Sequence, residues 1–154
     1  MEAPTAPVLS QLPFLRGLEW RHLEAMAACA MLVRFGPDET IFRTGDPAAR
    51  FYLLVEGRVR LESPRPSGPP VPIQDIEAGD VLGWSWLFPP YQWRFDARTL
   101  EPVEAIFFHG TRLRDLAEED PVFCCTMMKR MTSVILQRLQ ATRDELARRC
   151  GPGA

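Results

Sequence analysis

Eight short apolar runs, each closed by turn-forming residues rich in Gly, Pro and Asp, constrain this chain more than any other feature. They cover residues 31–35, 40–42, 51–55, 59–62, 71–76, 81–82, 95–100 and 103–108. Runs this short, at this spacing, predict antiparallel strands folded into a sandwich or barrel rather than helices. The stretch at residues 64–72 carries Pro64, Pro66, Pro69, Pro70 and Pro72. So many missing N–H donors bar it from the middle of a sheet, and it is expected at an exposed hairpin tip.

Helical spacing frames the strands. Leu9, Leu12, Phe14, Leu15 and Leu18, then Leu23, Met26, Ala27 and Ala30, predict two short helices broken at Gly17. A further helix is expected over residues 111–119. A long one follows at about residues 122–149, with Cys124, Met128, Met131, Ile135, Leu139, Thr142 and Leu146 at three- and four-residue steps before Gly151 and Pro152. The expected fold is mainly β with flanking α: an antiparallel double-stranded jelly-roll β-barrel with N-terminal helices and a long C-terminal helix. Residues 1–8 are expected to be a loose arm and residues 9–154 one domain.

Composition narrows the function. A formal net charge of -2 provides no positive field for nucleic acid or anionic lipid, so neither direct DNA binding nor membrane binding is expected. No apolar stretch is long enough to span a bilayer, and residues 1–10 lack the basic start and apolar run of a secretory signal, which predicts a cytoplasmic protein. Cys29, Cys124, Cys125 and Cys150 form no C-x-x-C pair and no metal-ligand spacing with His22 or His109. They are expected reduced, the first three near core-facing positions. Neither a metal site, nor a catalytic triad, nor a phosphate-binding loop can be assembled, and no enzymatic activity is expected.

Gly45-Asp46, the run Phe51-Tyr52-Leu53-Leu54-Val55-Glu56-Gly57 and the second turn Ala78-Gly79-Asp80-Val81-Leu82-Gly83 together resemble the cyclic nucleotide-binding domain family, in its Crp/Fnr-like form. The resemblance spans about residues 9–149. It implies a regulatory sensor whose ligand cassette follows Gly83. In that family a helix N-terminus at this place faces the cyclic phosphate, a Glu after the glycine accepts from the ribose hydroxyl, and an Arg about ten residues on forks onto the phosphate.

Here the cassette reads Gly83-Trp84-Ser85-Trp86-Leu87-Phe88, with Trp84 in the place of the Glu. Losing a charged hydrogen bond costs about 1.5–3 kcal/mol, or roughly ten- to a hundred-fold in affinity. An indole adds bulk and cannot accept a hydrogen bond. Ordinary cyclic AMP binding is therefore not expected. Counted forward from Gly83, the phosphate-binding Arg is Arg94; counted back from the strands after it, that place belongs to Trp93. Trp84, Trp86, Phe88, Tyr91, Trp93 and Phe95 either wall a pocket for an aromatic effector or fill a vestigial one as core.

The candidate ligand-binding residues are accordingly Gly83, Trp84, Ser85, Trp86, Arg94 and Thr142. Thr142 enters because the family's long helix lends a Thr-Ser pair to the ligand, and Thr142-Arg143 matches it with Arg in place of Ser. Two functions stay open. One is a stand-alone sensor that binds a cyclic nucleotide or related small effector and signals through its C-terminal helix. The other is a ligand-free interaction or scaffold module with its pocket filled by its own aromatics. No cofactor is expected beyond such an effector. A homodimer through the long helix is expected from its apolar stripe of Met128, Met131, Ile135, Leu139 and Leu146, with an unidentified protein as a further partner. Bacterial regulators of the family continue into a winged helix-turn-helix; with the sequence ending at Ala154, the expectation is a sensor without that DNA-reading part.

Overall fold

The computed structural model describes residues 3–151. Helix α1 (Ala6–Ser10), a 3-10 turn (Pro13–Leu15) and α2 (Trp20–Ala27) lead into eight strands: β1 (Ala30–Phe35), β2 (Thr40–Phe42), β3 (Arg50–Glu56), β4 (Val59–Ser63), β5 (Val71–Ile76), β6 (Val81–Leu82), β7 (Asp96–Thr99) and β8 (Val103–His109). Helices α3 (Gly110–Glu119) and α4 (Pro121–Cys150) close the chain. The strands pair in two four-stranded sheets, ordered β1-β8-β3-β6 and β2-β7-β4-β5, with every pairing antiparallel. This is the expected jelly roll with its flanking helices.

Packing explains why β3 and β8 read as almost unbroken apolar runs. Tyr52 and Leu54 of β3, with Val103, Ala105 and Phe107 of β8, face the second sheet and share a core with Phe42, Leu61, Ile76 and Trp93. The alternate residues Phe51, Leu53, Ile106 and Phe108 face outward onto a second core made with α1, α2 and α4. A sheet covered on both faces has no polar side to alternate with. Strand β5 carries Pro72 and lies at a sheet edge, where a missing donor is tolerated, and the register of β4 slips opposite it.

Three expectations need correction. The arm expected over residues 1–8 already turns helical at Ala6: Pro7 lies in the first turn, where its missing N–H costs nothing, and Ala6 and Leu9 are buried. Met1 and Glu2 fall outside the described residues. On α4, Phe123, Met127, Met131, Val134 and Arg138 face the body of the domain, so Met131 belongs to the core and not to the outward stripe. Met128, Leu136, Leu139 and Leu146 are exposed. Cys125 is exposed as well, although it was expected near the core, because it lies outside the 123-127-131 face.

Candidate functional site

The cassette begins where β6 ends. Gly83 has φ 96°, and a Cβ at this position would lie 2.3 Å from Cζ3 of Trp93. Glycine is required here twice over, by the backbone conformation and by the ring pressed against it. The resemblance implies a helix beginning here, but the residues after Gly83 make only a single turn. They make one backbone hydrogen bond, Leu87 N–H to the Trp84 carbonyl at 3.2 Å, and Pro89-Pro90 then withholds the donors that a helix would need. The ready anion site of a longer helix N-terminus is therefore not built at the cassette.

The next segment is held in strand-like register against the turn at residues 45–48. Trp93 N–H donates to the Asp46 carbonyl and Gly45 N–H to the Trp93 carbonyl, both at 2.9 Å, while Ala48 N–H donates to the Tyr91 carbonyl at 2.7 Å. Alternation along this pairing turns Trp93 into the barrel and leaves Gln92 and Arg94 exposed. The Trp93 indole stacks face to face on Phe42, centroids 3.7 Å apart and planes 7° from parallel. What remains between Gly83, Trp84, Ser85, Trp93, Arg94 and Arg138 is a cavity of about 10 Å³. A space that size holds at most a water molecule.

The other candidates divide. Trp84 is half-buried beside this remnant and meets Phe88 edge-on; Ser85 is buried in its wall. Trp86 is fully buried on the other side, packed on Phe51 with ring centroids 5.3 Å apart, and belongs to the helix-side core. Thr142 is half-buried on α4 and its hydroxyl donates back to the Arg138 carbonyl at 2.8 Å. Arg94 forms part of the remnant's wall, but as an exposed residue at its edge.

Sequence reasoning missed Arg138. Only 4% exposed, it donates to Gln74 Oε1 at 3.1 Å and to the Val81 carbonyl at 2.5 Å. Both acceptors are neutral. Burial pushes the guanidinium down to about 10, with the charge of Asp80 opposing the fall. The signal was available: Arg138 continues the apolar 127-131-134 series of α4, and a charge on a buried period is where function or a specific partner should be sought.

The cyclic nucleotide-binding domain family matches residues 32–120. The chain belongs to that family. Over 140 residues it is 24% identical to the CRP-like cAMP-activated global transcriptional regulator of Mycobacterium tuberculosis, an alignment covering 91% of this chain and 61% of that protein. It thus spans about three fifths of that regulator's length. In structure it superposes on a Geobacter metallireducens protein described as cyclic nucleotide-binding, with TM-score 0.80, 26% identity and coverage of 90% of this chain and 99% of that one. The sensor domain of the transcriptional regulator DNR from Pseudomonas aeruginosa shares the fold at TM-score 0.71 and 18% identity, covering 88% of this chain and 93% of that one. Among the described residues no helix is long and apolar enough to cross a membrane.

Proposed function

We propose that this chain is a regulatory domain whose nucleotide pocket is closed by its own side chains, and that it passes its state through α4 to a second copy or a protein partner. One observation carries this reading: the Trp93 indole lies against Gly83 and Phe42 and leaves about 10 Å³ of the cassette cavity. A cyclic mononucleotide needs a pocket of some hundreds of Å³. The indole supplies the aromatic contact and the bulk that a bound base would otherwise bring. In this reading the domain is a regulatory module and not an enzyme.

A second reading, an effector sensor, has its own support. On the far side of the Phe42–Trp93 stack lies a cavity of about 210 Å³ bordered by Asp46, Arg50 and Tyr52 as well as by the stacked rings. That space gives the indole somewhere to move if a ligand displaces it. Calorimetric titration of cyclic AMP and cyclic GMP into the wild-type chain and into Trp93→Ala separates the two. Self-closure predicts no heat for the wild type at hundreds of micromolar, and a gain of binding in the variant only if Arg94 or Arg138 can reach the phosphate. A wild-type Kd of about 10 μM or tighter, equivalent to about 7 kcal/mol, would establish the sensor reading instead.

A further inference from the structure

A far larger opening than the cassette remnant lies elsewhere among the described residues. An open cleft of about 450 Å³ lies between the 3-10 turn, the β5–β6 turn and α4, with Phe14, Arg16, Asp80, Arg130, Ser133 and Arg138 in its walls. In a chain of net charge -2, three guanidinium groups here face one carboxylate. Two of them come from α4 at positions eight residues apart, on one side of the helix. Arg130 donates to the carbonyls of Phe14 and, at 2.9 Å, of Arg16. Arg138 bonds only to the neutral acceptors described above. Neither guanidinium forms an ion pair within 4.0 Å among the described residues, whereas Arg21, Arg60 and Arg98 all do.

We infer that this cleft binds a small oxyanion, the phosphate or carboxylate group of a metabolite, with Arg138 as its principal contact. Positive charge that outnumbers the single carboxylate of a partly desolvated cleft, with no ion pair made by Arg130 or Arg138 within 4.0 Å among the described residues, is the arrangement an oxyanion completes, and guanidinium donors match its geometry. The Ser133 hydroxyl and the Gln137 amide line the same cleft and add neutral donors. Phe14, Val81 and Val134 supply an apolar wall for the rest of a small molecule. Its volume is in the range of ordinary metabolite sites. Because Arg138 also borders the cassette remnant, it is the wall shared by both spaces, and an anion drawn to it from the cleft would act on α4 without entering the closed pocket.

Inorganic phosphate and citrate, titrated separately into the full chain at constant ionic strength, test the assignment for the two sources of oxyanion. The readouts are the Nε–Hε resonance of Arg138, assigned by its loss in Arg138→Gln, and the midpoint of thermal unfolding. The expected result is a saturable shift of that resonance and a raised midpoint with at least one probe. Ser133→Asp, at an exposed helix position, places a carboxylate in the cleft and should raise the apparent Kd about tenfold or more. If Arg138→Gln does not fold, selective labelling still identifies the buried guanidinium and Ser133→Asp decides the matter. An unmoved resonance and midpoint with both probes at about 20 mM, or a Ser133→Asp affinity within about threefold of wild type, would overturn it. The outcome is independent of whether Trp93 closes the cassette, since Trp93 does not line the cleft.

Discussion

Trp93 and Gly83 form one steric unit, and substitutions at either should be read together. Gly83→Ala sets a Cβ at 2.3 Å from the indole and asks alanine to hold φ 96°. The backbone part alone costs about 1–3 kcal/mol. Trp93→Ala removes a buried indole and should cost roughly 3–5 kcal/mol. The double variant should be more stable than the sum of the two losses predicts, because the clash disappears with the ring; strictly additive denaturation midpoints would show that ring and glycine are not in contact. The Trp93 side chain was not assignable from the sequence. The loop from Trp84 to Phe95 contains two prolines and no clean alternation, so counting from either flank gave Arg94 or Trp93 for the same place. Backbone pairing with residues 45–48 settles which side chain points inward, and no local pattern announces that pairing.

At the scale of elements, α4 depends on its first turn. Asp120 caps it, accepting from Val122 N–H at 3.1 Å and Phe123 N–H at 3.2 Å, while its other oxygen lies 2.9 Å from His22 Nε2 and 2.5 Å from Arg21. The hydrogen bond from His22, then the backbone N–H of Phe123 and the Arg21 guanidinium, bring the carboxyl down to about 2 from 3.8, against the opposing effect of desolvation. A carboxyl depressed in the folded state stabilises the fold above its unfolded pKa and loses that contribution as pH falls through the folded one. Thermal midpoints should therefore fall as pH drops from about 4 towards 2, and Asp120→Asn should flatten that part of the profile; an equal acid slope in both proteins would assign the loss to other carboxylates. The strands and long helix were legible because their signals are local: Gly-bearing turns close the runs, and Pro121 opens α4. What the three- and four-residue spacing could not do was separate the two faces of α4. Met131 and Met128 are equally apolar, and only packing against Phe123 and Val134 assigns Met131 inward.

The exposed face of α4 sets the expectation for the whole molecule. Met128, Thr132, Ile135, Leu139, Thr142 and Leu146 follow one another in steps of four and three, the 3.5-residue period of a two-stranded coiled coil. Met128, Leu139 and Leu146 are exposed, with Leu139 at 54% and Leu146 at 63%. Apolar side chains at that spacing on a thirty-residue helix are readily covered by a symmetric copy of themselves, and the natural product is a parallel dimer about a two-fold axis. Cys125 lies three residues before Met128 on the same period and is exposed, so a parallel, in-register pair brings its two copies together at the start of the seam. Sedimentation should give a dimeric mass at tens of micromolar for the wild type and a monomeric mass for Leu139→Glu, Leu146→Glu. Mild oxidation should cross-link the wild type through Cys125, and Cys125→Ser should abolish the linked species while leaving the dimer intact. A dimeric mass without that cross-link, under conditions that oxidise the exposed Cys125, would mean that the helices pair antiparallel or out of register, and a monomeric wild type would remove the seam as the route by which α4 passes a signal on.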